Sequence, residues 1–448
     1  MQTKIVLIGA GSLQFGYDSL GDIFQSEVLR GSHVVLHDIN EEALSVVHEN
    51  GKKFLEEHKL DFTLSATIDR KEALQNAGFI VISIEVGDRF ALWDQDWRIP
   101  LQFGLSQVFG ENGGPGGFFH ALRVIPPIIE ICEDIQKICP EAFIFNYSNP
   151  MSRICTTVHK KFPDLTFIGL CHEIKSLSDH LPMILGTPME NIQFRAGGLN
   201  HFSVLLEATY RDSGKDAYPD ILEKAPAYFR DMTSLGEIFK QLKAHEAGST
   251  PGSEPALRSK TGYWPERLIF KIFLEKYKLL PITTDSHLGE YPAWAHDAAD
   301  HKGIYDFWMF YQEWLTKDPE IKLELAERLV PIIEGIITDS GYEESAVNLP
   351  NKGYIDRLPE FLVVEVPAII DKNGATGIKL ENLPMGYVAL LQNQVAIHEM
   401  TAETVLSGSR DVAMQALLAD PTVNKVDAAE KMLDTMIDLQ EDFLGYLK

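Results

Sequence analysis

Cysteine is scarce in this chain: Cys132, Cys139, Cys155 and Cys171 are the four in 448 residues. Four cysteines at this length make no disulfide framework, so the thiols are expected reduced and free for other chemistry. Positive charge is also short. Lys and Arg number 40 against 65 Asp and Glu, a formal net charge of −25. That balance argues against nucleic acid and anionic membrane as partners, although it leaves room for a locally basic pocket. No apolar run reaches the roughly 20 residues that span a bilayer. An apolar strand pattern begins at Lys4, which leaves no room for a leader segment, so the expected compartment is the cytoplasm. There is no internal repeat and no low-complexity linker. What remains is enough chain for two or three domains and a large core.

The first thing present is a nucleotide-binding pattern. Lys4-Ile-Val-Leu-Ile8 runs into Gly9-Ala10-Gly11-Ser12, and a helical pattern follows from about Leu13. Glycines there let the backbone turn tightly against a pyrophosphate, which then sits at the positive end of the helix. The usual third glycine is absent: Gln14 holds that place and Gly16 comes two residues late. The second strand, His33–Leu36, leads to Asp38. A carboxylate at that point accepts hydrogen bonds from the ribose 2′-hydroxyl and repels a 2′-phosphate, which predicts NAD rather than NADP.

Further apolar runs at Phe62–Ser65, Phe79–Ile84, Ala142–Asn146 and Thr166–Leu170 alternate with helical patterns at Glu41–Glu56 and Phe118–Lys137. Such alternation predicts an α/β fold, a Rossmann-like doubly wound parallel sheet over residues 1–171. Residues 172–448 are expected to form a C-terminal α+β domain for metal, substrate and oligomer contacts, as in the lactate and malate dehydrogenases. Within it, Ile192–Tyr210 reads as extended chain, Ile321–Ser340 and Leu383–Leu406 as long helices, and Ala428–Leu447 as an amphipathic helix. Ligands of doubly wound sheets bind beyond the carboxyl ends of the strands. Gly9–Ser12, Asp38, Glu85–Arg89, Asn146–Pro150 and Cys171–Glu173 each follow a strand. The loop Phe109–Gly117, with four glycines and a proline after Asn112, falls between two strands and precedes the helix bearing Arg123.

Cys171, in Gly-Leu-Cys-His-Glu, and His201, in Gly-Leu-Asn-His-Phe, add a second chemistry. A thiolate and an imidazole are transition-metal ligands. A redox nucleotide and a divalent metal in one cleft suggest a reaction that begins by oxidising an alcohol. The competing readings are an ordinary buried thiol and a packed histidine.

Taken in order, these segments resemble glycoside hydrolase family 4. The matching residues are Gly9–Ser12, Gly113–Gly117 with Arg123, Asn146–Met151, Cys171-His172-Glu173, Gly198–Phe202, Asp285-Ser-His287-Leu-Gly-Glu290, and Asn351 with Val364–Pro367. The resemblance implies NAD and Mn²⁺ as cofactors and an unusual glycoside hydrolysis. Hydride leaves C3 of the sugar for NAD⁺, a base removes the C2 proton, the aglycone departs from C1 by elimination, water adds, and the hydride returns. By position it implies Cys171 and His201 as metal ligands and Gly9, Gly11, Ser12, Asp38 and Asn149 at the cofactor. Asn149, Asn200 and Arg123 fall at the substrate, His172 as acid and Asp285 as base. Capping roles compete for Asp285 and Asn149, and Arg123 is alternatively an ion pair. The Cys-His pair places the substrate among unphosphorylated α-glycosides: α-glucoside, α-galactoside or α-galacturonide, as a small glycoside or oligosaccharide. A uronic acid would need a cation near C6, and Arg89, Arg98, Lys175, Arg258 and Lys260 are the cations to weigh. Family resemblance and the C-terminal amphipathic helix predict a homodimer or homotetramer. The alternatives are a plain NAD-dependent dehydrogenase of a sugar or hydroxy acid and a non-catalytic NAD- or sugar-binding regulator.

Overall fold

A computed structural model describes residues 2–12, 15–234, 236–238, 240–241, 264, 266–314, 320–325 and 327–448. The apolar runs become a parallel sheet: β1 (Lys4–Ile8), β2 (His33–His37), β3 (Thr63–Thr67), β4 (Phe79–Ile82), β5 (Phe143–Asn146) and β6 (Phe167–Gly169). Their order is β3-β2-β1-β4-β5-β6, all parallel, which is the dinucleotide-binding order. On β1, Ile5 and Leu7 enter one apolar cluster and Val6 and Ile8 the other, so the strand is covered on both faces.

The intervening helices are α1 (Phe15–Gln25), α2 (Glu41–His58), α3 (Arg70–Leu74), α4 (Arg89–Gln102), α5 (Gly114–Ile138) and α6 (Met151–Lys161). Local chemistry sets their starts. Asn40 and Asp88 accept backbone N–H groups at the first turns of α2 and α4, satisfying donors that a helix start leaves orphaned. Gly113 precedes α5, whose second residue is Pro115, a residue that loses nothing in a first turn.

The expected boundary at 171/172 falls just after β6, but the sheet does not end there. β10 (Tyr342–Pro350) lies antiparallel against β6, and β11 (Val363–Asp371) and β12 (Gly374–Gly377) continue outward, making nine strands. Residues assigned by sequence to the second domain thus cover what would otherwise be an open edge. β7 (Ile192–Gly197), β8 (Val204–Tyr210) and β9 (Leu280–Pro281) form a separate antiparallel sheet, and the Asn200-His201 motif is the β7–β8 connection.

Two expectations need correction. Only Leu329–Thr338 of the helix expected over 321–340 is helical. The chain before it crosses α1 so closely that a Cβ on Gly21 would sit 2.1 Å from the Lys322 carbonyl oxygen. The C-terminal amphipathic helix is Val426–Leu439 followed by Glu441–Leu444, and its apolar face has an internal partner. Ala429, Met432, Leu433 and Met436 pack with Phe118, Phe119 and Leu122 of α5. Its amphipathicity is satisfied within the chain and carries no argument for assembly.

Candidate active site

The site is built at the carboxyl ends of the parallel strands. At the nucleotide end, Gly9 has φ +89°, and a Cβ there would lie 2.1 Å from the Ser83 carbonyl oxygen, so only glycine fits the turn. Gly11 N–H donates to Asp38 Oδ2 at 2.8 Å, and Asn40 N–H to Asp38 Oδ1 at 2.9 Å. Asp38 therefore pins the glycine turn to the end of β2. Ser12 Oγ accepts the Phe15 N–H at the start of α1. The third glycine's packing role has moved to Gly16, where a Cβ would sit 2.5 Å from the Ala10 carbonyl oxygen. Asn149 does not cap α6. The residue before that helix is Pro150, with no side-chain cap, and Asn149 Oδ1 is buried without a partner.

Cys171 ends the segment after β6, and its Sγ lies 3.4 Å from His201 Nε2. His201 adopts φ +63°, a left-handed conformation uncommon outside glycine and held by the tight β7–β8 connection. Both side chains are buried. Burial holds His201 down at about 4, so it is neutral, the form that ligates metals. Burial, with Glu173 and Glu365 nearby, holds the Cys171 thiol well above its ordinary value. Asn200 is fixed beside them. Its Nδ2 donates to Glu365 Oε2 at 2.9 Å, and Glu365 is itself held by Ser203 and Asn348.

A charged ladder completes the cluster. His287 sits between two carboxylates, with Nδ1 2.6 Å from Glu173 Oε1 and Nε2 3.1 Å from Glu111 Oε2. Burial alone would lower its pKa, but the two carboxylates hold it well above the ordinary histidine value. His287 is thus an imidazolium, both nitrogens donating, stacked 4.2 Å from the His201 ring. Glu111 also pairs with Arg89 at 3.3 Å, and Arg89 with Glu85 at 3.6 Å. Glu290 accepts the backbone N–H groups of Glu111 and Asn112, fixing the glycine-rich loop.

Two expected residues, Asp285 and Arg123, are bonded elsewhere, and a third, His172, lies beside the cluster at the surface. Asp285 is fully buried, and its two oxygens accept the N–H groups of Ile269 and Phe270 at 2.8 and 2.9 Å. It caps the helix Leu268–Ile272, the reading that competes with a role as base. Arg123 is buried in a two-pronged pair with Asp96 and a 3.0 Å bond to Gln440 Oε1. It ties α5 to α4 and the C-terminal region, as the ion-pair reading has it. His172 lies on the rim, 73% exposed, with Nδ1 3.9 Å from Glu327 Oε1.

The comparisons place this geometry. The model of the family 4 glycosyl hydrolases matches residues 4–187, and that of the family's C-terminal domain matches 196–423. This chain belongs to glycosyl hydrolase family 4. It is 56% identical to an α-glucosidase of Erwinia rhapontici over the full length of both chains. It is 28% identical to an α-galactosidase of Bacillus subtilis (strain 168), covering 99% of this chain and 97% of that one. The fold matches a 6-phospho-α-glucosidase from gut microorganisms in complex with NAD and Mn²⁺, with TM-score 0.78 and 20% identity over all of both chains.

For this family 4 member, motif reading missed Glu111 and His287 as neighbours of the metal-type pair. Both lie inside quoted motifs, but which side chain of a motif faces a cleft is set by packing. The signal that pointed to them was the ionisable residue inside each glycine-containing segment. Arg98 pairs with Asp94, Lys175 is exposed, and Arg258 and Lys260 lie outside the described residues. Among the described residues, no helix is long and apolar enough to cross a membrane.

Proposed function

We propose that this chain is a cytoplasmic α-glucosidase that hydrolyses neutral, unphosphorylated α-glucosides with NAD⁺ and a divalent metal, Mn²⁺. The observation that carries the reading is 56% identity over full length to an α-glucosidase, with Cys171 and His201 meeting beyond a dinucleotide-type sheet. The residues fit both groups. Gly9 leaves a cradle that a side chain would fill, and Glu173 Oε2 and His201 Nδ1 are buried polar atoms without partners beside a thiol. Such atoms are costly unless something meets them. The 6-phospho-α-glucosidase of the same fold binds NAD and Mn²⁺.

When bound, NAD⁺ supplies a reversible hydride acceptor for C3 and the metal an electrophile that acidifies the C2 proton. The chain supplies the rest. Gly9–Ser12 and the start of α1 receive the pyrophosphate, and Asp38 the adenosine ribose. Cys171 and His201 hold the metal. Asn149 Oδ1 and Asn200 Oδ1, both free, orient sugar hydroxyls and the nicotinamide end. His172, on the solvent-facing rim, is placed to protonate the leaving oxygen as the aglycone departs.

Charge favours a neutral sugar. Among the described residues, the arginines beside the cluster are committed: Arg89 to Glu85 and Glu111, and Arg328 to Glu344 and to the Cys171 and Ala346 carbonyls. Among the described residues, these arginines leave a C6 carboxylate or phosphate no uncommitted guanidinium beside Glu111 and Glu173. We include a homodimer or homotetramer in the proposal, on the exposed apolar residues Leu418, Val426 and Leu439 of the C-terminal helices.

The test is a panel of p-nitrophenyl α-glucoside, α-galactoside and α-galacturonide with NAD⁺, Mn²⁺ and a thiol reductant. Release from the glucoside without net NADH is expected. NADH accumulating with product would make the chain a dehydrogenase, and tight NAD⁺ binding without turnover would make it a binding protein.

A further inference from the structure

Two overlapping triads around His201 have ligand atoms within 4.8 Å of one another: Glu111, His201 and His287, and Cys171, Glu173 and His201. The first is already spent. Both oxygens of Glu111 are bonded, Oε1 to Arg89 and Oε2 to His287 and Asn112. Both nitrogens of His287 are taken by carboxylates. The second triad is not. Glu173 has nine-tenths of its side chain buried. Its Oε1 is gripped by Thr283 Oγ1 and His287 Nδ1, each at 2.6 Å. Its Oε2 is buried and meets no donor.

A carboxylate with an oxygen within 4.8 Å of a thiol and an imidazole, clamped through Oε1 while Oε2 stays buried and bare, has the form of a ligating carboxylate. Such groups are fixed by hydrogen bonds from behind and present the free oxygen to the ion. We propose that Glu173 is a third protein ligand of the divalent metal, so that this chain offers thiolate, imidazole and carboxylate together. The inference rests on the metal-dependent reading above and extends it to a residue matched there only as part of a motif. A hard oxygen added to sulfur and nitrogen shifts the site toward Mn²⁺ relative to softer-site ions such as Zn²⁺. Thr283 and His287 then act as positioning residues for Glu173.

The test is a titration of Mn²⁺ into the NAD⁺-loaded full chain, following the paramagnetic resonance signal of free Mn²⁺; no glycoside is needed. Glu173→Gln keeps an acceptor for Thr283 and His287 but loses the charge. Its Mn²⁺ Kd is expected to rise at least about tenfold, with a smaller rise for Zn²⁺ and unchanged NAD⁺ affinity. A Kd within about twofold of the unsubstituted chain would overturn the proposal while leaving metal dependence standing. No Mn²⁺ binding by the unsubstituted chain would remove the metal from the proposed function as well. Should Glu173→Gln fail to fold, anomalous diffraction from Mn²⁺-soaked crystals of the unsubstituted protein decides. Glu173 Oε2 at about 2.2 Å from the ion supports the assignment, and a separation beyond about 3 Å overturns it.

Discussion

At the scale of single residues, Asp285 and Arg123 separate two kinds of importance. Asp285 satisfies two orphan donors at the start of a buried helix. Asp285→Asn keeps one acceptor and should cost about 1–2 kcal/mol of stability, as lost caps do. Turnover in D₂O should still place deuterium at C2 of the released sugar. Lost deuterium incorporation with an unchanged Tm would instead restore Asp285 as the base. Arg123 pairs with Asp96 where neither side chain meets water. Arg123→Met leaves a buried carboxylate unpaired and should cost about 3–5 kcal/mol. Arg123→Met with Asp96→Leu should recover part of that, with KM near that of the unsubstituted chain. A raised KM at unchanged stability would mark Arg123 as a sugar contact. Cys171 and His201 were legible in sequence because few side chains ligate metals and both lie in short motifs. For Asp285 and Arg123 the sequence left a cap and an ion pair open beside the base and substrate roles, because a motif says which residues recur together and not which way each side chain turns.

Among elements, the parallel strands were legible because β1, β4 and β5 are short apolar runs buried on both faces, each followed by a chemically distinctive turn. The helix over 321–340 was not. Its apolar period is real, but the chain at Lys322 packs against the backbone of Gly21 in α1 in irregular, bent conformation, and nothing local to residues 321–325 reports that contact. The glycine turn combines both cases. Its first two glycines read correctly, while Gly16 does the third one's packing from a position the fingerprint does not specify. Gly16→Ala should therefore act on the cofactor. Its Cβ would press on the Ala10 carbonyl oxygen, a backbone atom that yields only if the turn moves. Overpacking of this kind costs about 1–3 kcal/mol, so NAD⁺ affinity should fall about tenfold or more, as fluorescence titration would register. Unchanged affinity would mean that α1 absorbs the methyl group without moving the turn.

For the molecule as a whole, the joining of β10–β12 to the N-terminal sheet escaped the sequence because strand partners distant in sequence leave no periodic trace. The same burial that closes the cleft has a consequence for pH. Asp285, Glu290 and Glu327 lie in different segments, and burial raises them to about 7, 8 and 7. For Glu327, the nearby Asp22 adds to the rise. Their unfolded values lie near 4, so between about pH 4 and pH 8 these three groups hold more protons in the folded chain than in the unfolded chain, whereas the histidines that burial holds low, among them His180 and His201 at about 4, act the other way between about pH 4 and pH 7. Stability from the three carboxyls is greatest below pH 4, falls as pH rises, and levels off above about 8. Glu173, held at about 2 by His201 and His287 against the upward pull of burial, works oppositely only below about pH 4 and leaves this window untouched. The Tm of metal-free, cofactor-free protein should therefore be lower at pH 8.5 than at pH 7.5, a range above the titration of those histidines in the unfolded chain. Glu327→Gln removes one of the three titrations and should flatten the slope. A Tm that rises from pH 7.5 to 8.5, or a slope unaltered by Glu327→Gln, would show that these carboxyls are ionised in the folded protein and that water or cations reach them.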